Sequence, residues 1–268
     1  MSGDARHTPG LPGALGYTER TYRRFEATGG RRVPFRACVE TTDLYLLADR
    51  DLSAEALTAA LAARGLLDAH IERHPAFATA LRPLPLPAEP LPALLERMYR
   101  AARTAEVGPM AAVAGAIAQT VGEELRRHAA EVLVENGGDL YLDLEEEAVA
   151  GVFAGASPFS GRLGLRVTAE RTPLGLCTSS GTVGPSLSFG CADAAIVLAA
   201  DAALADAMAT ALGNRIQGPG DLEAAVDWAL AVPGVRGAVA ILGDRMAARG
   251  DVEFVEIGHP QSALGDPS

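Results

Sequence analysis

GLCTSSGTVGPSLSFGCADAAIVLAADAALADAMATALG, residues 175–213, sets a hydroxyl- and glycine-rich loop before an apolar strand and follows both with an alanine-rich helix. Such a loop has few side chains to pack. Its backbone N–H groups and the hydroxyls of Thr178, Ser179, Ser180 and Thr182 can instead hold an anion, and Gly181 and Gly184 let a ligand come close. An ordinary polar loop is the alternative. On an α-helix Asp206 and Thr210 stand four apart and share a face. Every other residue from 202 to 212 is Ala, Leu or Met. A carboxylate and a hydroxyl stacked on so apolar a helix suggest an oxygen-ligand site for a hard cation.

The 268 residues are 49% hydrophobic, enough for a substantial core and against wholesale disorder. No apolar run reaches the roughly 18 residues of a membrane helix. The opening MSGDARHTPGLPGALG has no signal-peptide apolar region, so a loose tail over residues 1–16 and a cytoplasmic protein are expected. The net charge is −11 and the pI about 4.9, which argues against a bulk nucleic-acid binder. All 23 basic residues are Arg; the absence of Lys excludes Schiff-base chemistry, pyridoxal phosphate and the P-loop lysine. Cys38, Cys177 and Cys191 are odd in number and widely spaced, without a C-x-x-C. That argues against a disulfide framework or a zinc knuckle. His70 and His74 share a helix face, but next to Pro75 they mark a helix end more readily than a metal site.

Residues 17–47 alternate as strands do. Asp51, Leu52 and Ser53 precede a helical pattern over 54–73, and RPLPLPAEPLP (82–92) is a rigid extended connector. Helices are expected over 92–105 and 109–130. VLVENGGDLYLDL is a hairpin candidate; AVAGVFAG, LGLRVTAE and AAIVLAA are strands, the last followed by an Asp201-capped helix. DLEAAVDWAL is a short helix, and GAVAILGD and VEFVEIG close the pattern as strands. This order is α+β rather than a regular βα alternation. The domain is expected over residues 17–258, with a tail over 259–268.

In VGPMAAVAGAIAQ, Pro109 suits the first helical position and leaves N–H groups fit for a phosphate or carboxylate; a tightly packed buried helix is the alternative. Gly137 and Gly138 in ENGGD serve a turn that Asp139 can fix. Glu145, Glu146 and Glu147 read as a solvated turn. No G-x-S-x-G elbow is present, which disfavours a hydrolase triad. Cys177 is a candidate reactive thiol, with a small buried hydrophobe as the alternative.

Together, ETTDLYLLA, IERHPAFATALRPL, VGPMAAVAGAIAQ, ENGGDLYL, CTSSGTVGPSLSFG and ALADAMATALGN resemble the uncharacterised ApbE-like protein family, sibling of the FAD:protein FMN transferases. The resemblance implies a single ApbE-like domain with a mixed β-sheet packed by helices. The tie to the transferases themselves rests on GGD at 137–139, TSSG at 178–181 and ADAMATAL, which is similar to their A-D-A-x-x-T-A-L pattern. That pattern supplies an Asp and a hydroxyl to magnesium, which maps onto Asp206 and Thr210. The resemblance implies FAD or FMN as ligand and Mg2+ as cofactor. The ligand would lie among Thr178, Ser179, Ser180, Gly181 and Thr182, the turn Gly137, Gly138 and Asp139, and the helix start at Gly108 and Met110. Two departures stand out: Pro185 where a His is expected, and Cys191 where a basic residue is usual. The lipoprotein signal of many transferases is not seen. Three functions follow as expectations: magnesium-dependent flavin or nucleotidyl transfer, a sulfur-assimilation or thiol-handling role using Cys177, or non-catalytic binding. No nucleic-acid or membrane partner is expected, and a homodimer is common for such chains.

Overall fold

The computed structural model describes residues 32–181 and 190–257. The expectations for residues 1–31, Thr182, Gly184, Pro185 and the tail after 257 lie outside the described residues.

Eight strands form one sheet in the order β1 (Val33–Val39), β2 (Thr42–Ala48), β3 (Val132–Asn136), β4 (Asp139–Asp143), β7 (Leu174–Ser179), β8 (Ala194–Ala199), β9 (Val235–Leu242) and β10 (Arg245–Gly250). A second, three-stranded sheet orders β11 (Phe254–Glu256), β6 (Leu163–Val167) and β5 (Ala148–Gly151). Every described ladder is antiparallel, where a mixed sheet was expected. Short turns join β1 to β2, β3 to β4 and β9 to β10, and antiparallel neighbours need no crossover connection.

The large sheet is apolar on both faces because both are covered. Leu44, Leu46, Val132, Val134, Tyr141, Cys177 and Val197 pack under the helices. Leu47, Leu133, Leu142, Leu176 and Leu198 point the other way, against Ala150, Leu165 and Val167 of the small sheet. The molecule is thus small sheet, large sheet and helices in three layers, an α+β architecture.

The helices are α1 (Ser53–Arg73), α2 (Ala76–Thr79), α3 (Ala93–Ala105), α4 (Val113–Leu125), α5 (Ala202–Asn214) and α6 (Leu222–Leu230). The Asp51 carboxylate accepts the Ser53 N–H at 2.9 Å at the start of α1. Asp201 caps α5 as expected, accepting the Leu204 N–H at 2.9 Å. The helix expected over 109–130 is shorter: a 3-10 turn at Pro109–Ala112 precedes α4. Pro109 has no N–H and fixes its φ, which suits a helix entry but leaves the first turn tight.

Gly115 of α4 and Gly175 of β7 both press on Ala202, the first residue of α5; a Cβ at either would collide with it. The two glycines seat α5 between its neighbours and fix where Asp206, one turn on, must sit.

Candidate active site

The hairpin expected at ENGGD forms. Asn136 pairs with Asp139 across a two-residue turn, and Gly137 and Gly138 take φ of 72° and 108°. Two consecutive positive φ values favour glycine strongly. The turn delivers Asp139 as the first residue of β4, on the helix-facing side shared with Tyr141. On the neighbouring strand the Thr178 N–H donates to Asp139 Oδ1 at 3.2 Å. Asp206 comes down from α5 and accepts the Gly115 N–H at 2.9 Å, with the Ala114 N–H as a second donor. Asp206 therefore caps α4 from another helix. Asn136 ties the turn to the same place, donating to the Ala114 carbonyl at 3.2 Å.

The electrostatics are those of an uncompensated acidic pair. Burial pushes the Asp139 carboxyl up to about 7; the Thr178 N–H and the Cys177 thiol oppose this, and Glu135 adds to it. Asp206 is held well above the usual carboxylate range by burial and then by the charge of Asp139, against the N–H groups of Gly115 and Ala114. Among the described residues no arginine forms an ion pair with either carboxylate.

A hard cation fits this donor set. Asp206 and Thr210 lie one turn apart on α5, the charge of Asp139 acts on Asp206, and Mg2+ binds through one or two carboxylates plus water and phosphate oxygens. No group of three His, Cys, Asp or Glu that could hold a metal occurs among the described residues. Phosphate and water would supply the remaining ligands.

The anion loop is built differently from the expectation. Strand β7 runs on through Ser179, so Thr178 and Ser179 point to opposite faces of the sheet. The N–H groups expected to hold phosphate have acceptors within the protein: Thr178 on Asp139, Gly138 on Glu135, Gly181 on Ala192, Gly115 on Asp206. Gly108 is buried, and a Cβ there would collide with the Ala80 carbonyl; Met110 is half-buried against the helix-side core. Gly137 is exposed and Gly138 half-buried, in the turn next to Asp139. Ser180 is half-buried.

Cys177 corrects the reactive-thiol expectation. It is fully buried, while Cys38 is exposed and Cys191 intermediate. Burial first, then the charges of Asp139 and Asp206, push its thiol well above the ordinary value, so thiolate is suppressed. His70 is fully buried with Nε2 at 3.0 Å from the Tyr99 hydroxyl, in packing rather than at the site.

Asp139 carries a pH signature. Its folded pKa, about 7, lies above its ordinary value of 3.8. The native state therefore binds the proton more tightly than the unfolded chain. The associated stability is present below pH 4 and is lost as pH rises through 7. Without divalent cations, the melting temperature of wild type relative to Asp139→Asn should fall between pH 4 and 7.5. Parallel wild-type and variant profiles would refute the buried acid.

The large sheet, its helices and the small sheet on the far face define the fold class of the flavin transferases: the apo flavinyl transferase ApbE of Pseudomonas stutzeri superposes with a TM-score of 0.53 at 13% identity, over 82% of this chain and 94% of that one. The family model described as AbpE bacteria matches residues 24–248, and the chain belongs to that family. It is 44% identical over 222 residues to a UPF0280 protein of Methanocella arvoryzae, covering 82% of this chain and 90% of the relative. It is likewise 44% identical over 214 residues to a UPF0280 protein of Methanosphaerula palustris, covering 80% and 88%. These matches bear out the ApbE-like resemblance. Among the described residues no helix is long and apolar enough to cross a membrane.

Proposed function

We propose that this protein binds a flavin nucleotide, FAD or FMN, through Mg2+ held by Asp206 and Thr210, at the mouth formed by the GGD turn and the end of β7. The observation that carries this reading is the pair Asp139 and Asp206, two carboxylates near enough for the charge of Asp139 to raise Asp206, neither of which forms an ion pair with an arginine among the described residues. Such a pair is stable in its charged form only with a cation, and a nucleotide's phosphates complete that cation's shell. The names and fold of the relatives support a flavin as the nucleotide.

Bound Mg2+ would neutralise charge on the bridging phosphate oxygen. The chain's own part is to orient it. The Gly115 and Ala114 N–H groups hold the Asp206 carboxylate, and the Thr178 N–H holds Asp139. Proton transfer to a leaving phosphate is the weak point, since Pro185, at the position of the expected His, has no side-chain proton and no backbone N–H. We therefore propose binding with slow transfer of FMN to a protein hydroxyl. Sulfur carriage at Cys177 is not favoured, because the thiol is buried and protonated.

Calorimetry with Mg2+ and FAD tests the reading. Changes to groups that only orient a metal ligand cost about 10–100-fold in affinity, so removing a direct ligand by Asp206→Asn should cost at least about 100-fold. Equal Mg2+ affinity in wild type and variant would refute the metal assignment. Strong, Asp206-dependent covalent flavin labelling of an acceptor peptide would refute slow transfer.

A further inference from the structure

Each carboxylate of the acidic pair has one oxygen engaged by a backbone donor. Asp206 Oδ2 accepts the Gly115 N–H at 2.9 Å, and Asp139 Oδ1 accepts the Thr178 N–H at 3.2 Å. A carboxylate held this way offers a cation one oxygen more readily than a two-oxygen bite. Mg2+ demands a small, near-octahedral shell. Ca2+ takes about six to eight oxygens at longer distances, with carboxylates often bidentate, and tolerates irregular geometry. Two acids of fixed spacing therefore favour the smaller ion, and whatever fixes the spacing sets the preference.

Asn136 holds that position. It ends β3, is 9% exposed, and lies directly opposite Asp139 across the turn made by Gly137 and Gly138. Residues so paired have Cβ atoms about 5 Å apart, and their side chains leave the same face of the hairpin. Asn136 Nδ2 donates to the Ala114 carbonyl at 3.2 Å. Ala114 in turn gives its own N–H, together with that of Gly115, to Asp206. One residue of α4 is thus gripped twice, at its carbonyl by the hairpin that carries Asp139 and at its N–H by the carboxylate from α5. On its other side Asn136 pairs with Leu44 of β2, which anchors its backbone within the sheet. An ionised Asp in its place would have no proton to give the carbonyl and would add a third negative charge.

We propose that Asn136 is a positioning residue that fixes the spacing of Asp139 and Asp206 and thereby selects Mg2+ over Ca2+. This rests on the cation reading above and adds the residue that sets ion preference.

Calorimetry with MgCl2 and with CaCl2 would compare wild type, Asn136→Ala, Asn136→Asp and Ser157→Ala. Ser157 is the control for a lost buried bond: it lies between β5 and β6, is 7% exposed, and its hydroxyl donates to the Gly243 carbonyl at 2.7 Å. Emission of Trp228, the single tryptophan, reports whether each variant is folded. Asn136→Asp is nearly the same shape as the native residue, so it keeps the test open if Asn136→Ala fails to fold. The expected result is a ratio of Mg2+ to Ca2+ affinity about tenfold lower in both Asn136 variants and unchanged in Ser157→Ala. The added charge of Asn136→Asp acts on both ions alike and leaves the ratio as the measure. A folded Asn136 variant with the wild-type ratio, or wild type with no preference for Mg2+, overturns the Asn136 assignment and leaves the cation site standing. Wild type that binds neither ion overturns both.

Discussion

Glu131→Ala should destabilise the protein by about 3–5 kcal/mol, the usual consequence of leaving a buried charge without its partner. Arg32 and Glu131 form a two-point ion pair at 3.0 and 2.8 Å, with side chains only 4% and 7% exposed. Glu131 also accepts the N–H groups of Glu145 and Glu146, at 3.2 and 3.4 Å, and Arg32 donates to the carbonyls of Glu146 and Glu147 at 2.6 and 3.2 Å. Burial raises the Glu131 carboxyl, but Arg32 and the two N–H groups outweigh it and hold the group below its usual range. The pair thus clamps the start of β1 and the turn into β5 to the base of β3. At about 2–4 °C per kcal/mol for a chain of this size, the melting temperature should drop by about 6–20 °C. Urea denaturation supplies the free energy directly. A loss under about 1 kcal/mol would mean that the clamp behaves as a surface pair.

Gly115→Ala should cost about 2 kcal/mol or more, although helix propensity alone favours Ala over Gly by up to about 1 kcal/mol. The added methyl would collide with the Ala202 carbonyl and approach the Asp206 Cβ to 2.9 Å. Helices α4 and α5 must separate, which loosens the Gly115 N–H to Asp206 bond and with it the hold on that carboxylate. Stability and Mg2+ affinity should therefore fall together. Gly65→Ala is the matched control: Gly65 is exposed on α1 with nothing within 4 Å of a new Cβ. There the propensity term acts alone and stabilises by about 0.5–1 kcal/mol. If both substitutions stabilise, the helix contact at Gly115 is looser than the structure shows.

Local pattern made most elements legible. The alternation in VLVENGGDLYLDL and the paired glycines specify a hairpin wherever it sits, since positive φ is a property of two adjacent residues. The Asp201 cap and the shared face of Asp206 and Thr210 follow from helical geometry alone. RMAARG carries no strand signal of its own. Its alternation is weak, and β10 exists because an edge of β9 is open to it and Gly243 turns the chain at φ 60°. The extension of β7 through Thr178 and Ser179 was equally hidden, because small hydroxyl residues suit a loop as well as a strand until the β8 partner is in place.

The amino-acid sequence by itself determined the family, the α+β class, the helix bearing Asp206 and Thr210, and the turn bearing Asp139. These depend on propensities and spacings within a dozen residues. Only the tertiary structure decided that Asp139 lies near enough to act on Asp206, that Gly115 reaches Asp206 from 91 residues away, and that Cys177 is buried beside both carboxylates. Hydrogen-bond partners and desolvation are set by which segments pack together, and packing across such separations leaves no local trace in the chain. The same composition that suggests an open, anion-binding loop is compatible with N–H groups bonded within the protein.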